Sequence, residues 1–298
     1  MAWQLEGTFT ALVTPFTADG SIDWAALARL VEFQIAEGVE GLAPVGSTGE
    51  SATLEFDERV EVIARVVEYA NGRVPVIAGT GTNDTRTTIA LTRKAKEVGA
   101  DAALLVCPYY NKPTQQGLYE HFRAVAEAVD LPLVLYNVPG RTAVNMAAET
   151  QLRLAEEFPT IIGTKEASGN LEQVMEILRH APAHFRLLAG DDALALPIIA
   201  CGGSGVVSVL SNYAPRQFGE CIRAALRGDW ERARRLHYEL FELMRLNFIE
   251  PNPIPVKAAL ALLGMIQEHY RLPLTPMQPA HRQRLEAELR RVGLLQPV

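Results

Sequence analysis

The sequence predicts a closed (β/α)8 barrel, the TIM-barrel class of α/β folds, followed by a C-terminal helical extension. Two observations carry this. Eight short runs are apolar almost without a break, as in parallel strands covered on both faces. Amphipathic segments of helical period separate them. The length of 298 residues leaves room for a barrel of roughly 250 residues plus an extension.

The strand candidates, in order, are 7–16, 41–46, 74–81, 102–108, 132–139, 161–167, 186–192 and 205–210. The helical patterns lie near 23–38, 55–71, 84–98, 116–129, 147–158 and 170–180. In the first, Trp24, Leu27, Val31 and Ile35 recur at three- and four-residue steps, with Arg29 and Glu32 off that face. The uncharged stretch between Asp192 and Arg216 holds Pro197, Gly202, Gly203 and Asn212. It reads as a short helix and a buried strand, since a membrane span would be continuous. The eighth unit closes near 226, so the division is a barrel over 1–226 and an extension over 227–298. Three further helical patterns, near 229–247, 253–263 and 279–293, are joined by the proline-rich "EPNPIP" and "LPLTPMQP". An open doubly wound sheet is the runner-up. It lacks a fingerprint, because "GTGTND" at 79–84 misses the third glycine of a dinucleotide loop.

The bulk numbers exclude several classes. A net charge of -7 and no basic track argue against nucleic acid as a partner. Three scattered cysteines give neither a disulfide framework nor a CxxC motif. The six histidines show no HxH or HExxH spacing, so neither metal nor cofactor is expected. The N-terminal stretch has no basic residue before Arg29, which argues against a signal peptide. The expectation is a cytoplasmic protein without a membrane partner.

In such barrels chemistry sits at the C-terminal ends of the strands. Strand 6 ends in "GTKEASGN", placing Lys165 beside two isoleucines. Such a lysine is a core residue paired with a carboxylate, one snorkelling to the surface, or a Schiff-base nucleophile, because burial disfavours the ammonium and an amine attacks only when neutral. Tyr136 ends the neighbouring strand 5, where a phenol could shuttle protons to an imine. "GSTGE" at 46–50 offers the hydroxyls of Ser47 and Thr48 between glycines that expose backbone N–H groups to a small anion. Arg141 could hold a second carboxylate bidentately.

These residues, with "GTFTALVTPF", "GSTGESATL", "VIAGTGTND", "PYYNKPTQQGLYEHF", "LYNVPGRT", "GTKEASGN", "GDD", "GVVSV" and "NPIPVK", resemble the dihydrodipicolinate synthase family of bacterial lysine and diaminopimelate biosynthesis. The likeness runs nearly end to end. "GSTGE" and the lysine strand alone would also fit N-acetylneuraminate lyase and related pyruvate aldolases. The resemblance implies a condensation of pyruvate with L-aspartate 4-semialdehyde to 4-hydroxy-tetrahydrodipicolinate. Lys165 would form the imine, and Ser47 and Thr48 would hold the pyruvate carboxylate. Tyr136, Ser47 and Tyr110 would relay protons, with Tyr110 entering from a neighbouring subunit of a homotetramer built as a dimer of dimers. Arg141 would bind the semialdehyde carboxylate, and Gly190 and Val207 would line the pocket. Ser47 stands where many members carry Thr and keeps the hydroxyl.

The family's lysine-effector cleft is matched by Ser51, Ala52, Asn83 and Tyr109. Phe56, Arg59 and Thr87 stand where several inhibited members carry His, His and Glu, so the resemblance implies weak or absent inhibition by lysine. Two other readings stay open: an aldolase for a sugar acid such as N-acetylneuraminate, and an inactive barrel that only binds oxo acids. The second predicts loss of the lysine, tyrosine or arginine, and all three are present.

Overall fold

The computed structural model describes residues 3–296. Eight strands, β1 (Gly7–Ala11), β2 (Gly41–Ala43), β3 (Ile77–Gly79), β4 (Ala102–Val106), β5 (Leu133–Asn137), β6 (Ile161–Glu166), β7 (Arg186–Ala189) and β8 (Gly205–Ser208), pair in parallel. They run β2-β1-β8-β7-β6-β5-β4-β3 around the sheet. A bridge between Leu42 and Val76 closes the remaining seam, with Leu42 N–H on Pro75 O at 3.0 Å and Gly79 N–H on Pro44 O at 2.9 Å. The result is the closed (β/α)8 barrel. Each strand falls inside one of the eight apolar runs but is shorter. The ends of the runs turn into the loops that carry the polar residues.

Helices α1 (Trp24–Ala36), α2 (Phe56–Ala70), α3 (Thr85–Glu97), α4 (Gln115–Ala128), α5 (Pro139–Thr142), α6 (Ala148–Glu157), α7 (Leu171–His180), α8 (Asp192–Ala200) and α9 (Pro215–Leu226) belong to the barrel. Several begin where the sequence supplies a cap: the side chains of Asp23, Asp84, Thr114, Asn170 and Asp191 each accept from a first-turn backbone N–H. The one-turn α5 interrupts what the pattern reads as the end of strand 5. Pro139 at its first turn suits a helix start, where no N–H partner is needed. The extension adds α10 (Trp230–Leu246), α11 (Ile254–Leu262) and α12 (Pro279–Arg291). Helix α10 packs on α8 and α9 of its own barrel, and α12 packs on α10 and α11. No helix among the described residues is long and apolar enough to cross a membrane.

The apolar side chains divide into two layers. An inner cluster, including Phe9, Leu104, Val134, Ile162, Leu188 and Val207, fills the barrel. An outer cluster lies between sheet and helices and takes Leu133, Leu135 and Ile161. Successive side chains of a strand face opposite sides, so Ile162 pointing inward would turn Lys165 outward. The β5–β6 register shifts at this point: Leu133 opposes Ile161, and Val134 opposes Gly163. This bulge resets the alternation, so Ile162 and Lys165 both face the barrel axis. Gly163 makes it possible, since a Cβ there would lie 2.4 Å from Arg186 O and 2.7 Å from the Leu5 side chain.

Candidate active site

Lys165 sits in the last inward-facing position of β6 and is 5% exposed. Tyr136 is its register partner on β5, and Nζ lies 4.0 Å from the Tyr136 ring centroid. Among the described residues no carboxylate forms an ion pair with Lys165. The reading in which this lysine is a paired structural residue is thus not what the structure shows. That part belongs to Lys257 on α11, which is fully buried, donates to Glu50 Oε1 at 2.5 Å and stacks over the Phe16 ring. Burial lowers the Lys257 pKa, and the Glu50 carboxylate opposes the shift.

A cavity of about 100 Å³ opens above Lys165, walled by Ser47, Thr48, Tyr136, Arg141, Gly190 and Asn252. It adjoins a larger cavity of about 330 Å³, and Ser47, Tyr136, Val138, Arg141 and Asn252 belong to both walls. One site thus draws hydroxyls from the β2 loop, the phenol from β5, the amine from β6 and a guanidinium from α5. Hydroxyl and guanidinium donors around a buried amine suit a small carbonyl compound carrying a carboxylate.

The extension completes this site. Asn252 donates through Nδ2 to Thr48 Oγ1 at 2.9 Å, and its carbonyl accepts from Arg141 Nη2 at 3.0 Å. Glu50 holds the left-handed end of the GSTGE loop, at φ 55, and its Oε2 also accepts from the backbone N–H of Arg271 at 3.3 Å. Asn252, Lys257 and Glu50 are the residues that sequence reasoning missed. They lie in "NPIPVK" and "GSTGE", whose pairing spans more than 200 positions and leaves no local signal.

The remaining expected residues divide. Gly190 lines the small cavity, where a Cβ would meet the Ala167 Cβ at 2.6 Å and Lys165 Cγ at 3.2 Å. Val207 does not line it. It packs one inward layer deeper, with Leu188 and Phe9, and Val209 takes the position on the wall. Strand β8 ends at Ser208, and Val209 turns off it with φ -86 and ψ -44, which separates the two valines. Tyr110 lines neither cavity and is 89% exposed, at a φ of 71°. Ser51, Ala52, Tyr109 and Arg59 line the larger cavity. Asn83 lies behind it, donating to Tyr109 O at 3.2 Å. Thr87 is occupied at the α3 cap, where its N–H and hydroxyl donate to Asp84. Phe56 is exposed.

The model of the dihydrodipicolinate synthetase family matches residues 4–292. The chain is similar to the 4-hydroxy-tetrahydrodipicolinate synthase of Koribacter versatilis, with 54% identity over 98% of this chain and 97% of that one. Among solved structures it is similar to dihydrodipicolinate synthase from Aquifex aeolicus, at 48% identity and a TM-score of 0.96, covering 98% of this chain and 100% of the other. It is likewise similar to the chloride-inhibited dihydrodipicolinate synthase of Acinetobacter baumannii complexed with pyruvate, at 44% identity and a TM-score of 0.96, covering 98% and 100%.

Proposed function

Because the chain belongs to the dihydrodipicolinate synthetase family, we propose that it condenses pyruvate with L-aspartate 4-semialdehyde through an imine on Lys165. The observation that carries this mechanism is a buried amine with no carboxylate partner among the described residues, set against a tyrosine ring at the floor of a cavity rich in hydroxyl donors. The pyruvate in the Acinetobacter relative supports the choice of first substrate.

The steps follow from the groups present. Lys165 Nζ attacks the ketone carbon, and the carbinolamine loses water to give the imine. Ser47 and Thr48 hold the carboxylate of pyruvate. Loss of a methyl proton turns the imine into an enamine, whose carbon adds to the semialdehyde aldehyde and forms the new C–C bond. Arg141 holds the carboxylate of that second substrate. The semialdehyde's amino group then attacks the imine carbon and expels Lys165, closing the ring of 4-hydroxy-tetrahydrodipicolinate. The net change is two substrates to one product and one water. Tyr136 and Ser47 pass the protons that imine formation and release require. Val207 supports the pocket from below.

Tyr110 completes the relay only if a second copy supplies it, so the active form is an oligomer, a homotetramer arranged as a dimer of dimers. The outward Tyr110 side chain at positive φ supports this, since such a conformation persists only where the surroundings hold it, and the turn is pinned by Asn111 donating to Asn83 O at 2.8 Å and to Tyr109 O at 2.9 Å. A cytoplasmic location goes with this reading and suits the free thiols of Cys107, Cys201 and Cys221. The cleft at Ser51, Ala52, Asn83 and Tyr109 has Arg59 and Thr87 where an anionic partner for a lysine ammonium would be needed, so lysine inhibits weakly or not at all. Half-inhibition by submillimolar lysine would refute that.

The deciding experiment is incubation with pyruvate, reduction with borohydride and peptide mapping. A pyruvyl adduct on Lys165 is expected. Its absence from folded protein would overturn the mechanism. Turnover with aspartate semialdehyde and none with N-acetylmannosamine separates the synthase from a sugar-acid aldolase.

A further inference from the structure

We propose that Glu166 is a positioning residue, the centre of a cage outside the barrel wall that sets the geometry of Lys165, Tyr136 and the Arg141 loop together. The inference rests on the imine reading above.

Glu166 follows Lys165 on β6, and Asn137 follows Tyr136 on β5. The two pairs are in register, Tyr136 with Lys165 and Asn137 with Glu166. Alternation therefore sends the first pair into the cavity and the second into the layer under the helices. There Glu166 is buried, at 1% exposure, and no Lys or Arg among the described residues pairs with it. Five contacts from four N–H donors surround it instead. Asn137 Nδ2 lies 3.2 Å from both oxygens, Gln151 Nε2 donates at 3.0 Å, Gln173 Nε2 at 3.2 Å and Ser168 N–H at 2.8 Å. A carboxylate accepts on both oxygens, so its two atoms can collect donors from β5, α6, α7 and the β6–α7 turn at once.

The cage continues to the arginine loop. Asn137 Oδ1 accepts from the Met146 N–H at 3.0 Å, and its Nδ2 donates to Asn145 Oδ1 at 2.8 Å. Residues 145 and 146 end the loop that begins with α5 and Arg141. Removing the carboxylate would leave several buried donors facing one another, a large cost for a structure that uses no cation here. What it specifically holds is the relative rotation of the β5 and β6 ends, and hence the Lys165–Tyr136 contact. A displacement of about 1 Å in such a pair is worth on the order of 100-fold in rate.

The test compares the rate of borohydride-trappable imine formation in wild type, Glu166→Gln and Gln173→Ala, with Gln34→Leu as control. Glu166→Gln keeps the shape but puts an NH2 among donors. Gln173→Ala removes one peripheral donor at a half-buried position. Gln34 is an equally buried polar residue on α1, bonded to Thr10 and to Asn212 O, remote from the cage. The expected result is an imine rate at least tenfold lower for Glu166→Gln and two- to fivefold lower for Gln173→Ala, with KM for pyruvate within threefold of wild type. Gln34→Leu should lose thermal stability but keep the imine rate. An imine rate within twofold of wild type in either cage variant, or an equal loss in Gln34→Leu, overturns the proposal. If Glu166→Gln does not fold, Gln173→Ala alone decides. Failure of wild type to form any adduct would instead overturn the imine reading itself.

Discussion

Replacing Lys257 with Met tests whether the extension is part of the site. The Lys257 side chain is 0% exposed and that of Glu50 is 1% exposed, with 2.5 Å between Nζ and Oε1. At an effective dielectric of 20 their attraction comes to roughly 6–7 kcal/mol at that distance, and the desolvation of both groups takes back part of it. Met fills the stem volume, so little of the loss is cavity. What remains is Glu50 buried with, among the described residues, only the Arg271 N–H as partner. Breaking such a pair costs about 3–5 kcal/mol. For a chain of this size that lowers Tm by on the order of 10 °C. Calorimetry at matched protein concentration reads it. Lys257→Met with Glu50→Gln should recover more than half of the loss, because the uncompensated charge is gone. The reactive site should suffer as well: Glu50 anchors the loop that carries Ser47 and Thr48, so KM for pyruvate should rise about tenfold. A Tm within 2 °C of wild type, or a double variant no better than the single one, would refute the reasoning.

Three further outcomes are expected. Gly190→Ala places a methyl 2.6 Å from the Ala167 Cβ and 3.2 Å from Lys165 Cγ; overpacking of this kind costs about 1–3 kcal/mol, and slower borohydride trapping with a modest Tm loss should result, whereas an unchanged trapping rate would show that Lys165 tolerates the shift. Burial lowers the His121 pKa from 6.5 to about 4, so the neutral ring is favoured in the fold and its stability contribution, complete above pH 6.5, is lost as pH falls toward 4. The loss amounts to about 3 kcal/mol, and the urea midpoint of His121→Gln should fall less steeply than wild type between pH 6.5 and 4.5, parallel curves contradicting this. Cys201 is exposed, while burial holds the Cys221 thiol up at about 12 and Cys107 higher still. Native protein should therefore release one equivalent of thionitrobenzoate quickly and the rest only on unfolding.

The sequence by itself determined the α/β layering, since eight runs apolar on both faces are buried as parallel strands under helices, while the Leu42–Val76 bridge that closes the sheet into a barrel is a tertiary contact. It also determined which loops hold the chemistry, because Lys165, Tyr136, Arg141 and the GSTGE hydroxyls all stand where an apolar run ends. It did not determine which way Lys165 points. A run that is apolar on both faces carries no alternation to read, and the bulge that turns Ile162 and Lys165 to the same side exists only in the pairing of β5 with β6. Val207 and Val209 differ for a related reason: both belong to one uniform run, and only the turn of the backbone after Ser208 tells which reaches the cavity. Asn252, Lys257 and Glu50 were decided by tertiary structure alone, as was the Glu166 cage. The Asn252–Thr48 and Lys257–Glu50 bonds span more than 200 positions, the Glu166 cage joins four separate elements, and a buried polar residue shows its purpose only once the groups that satisfy it are in place.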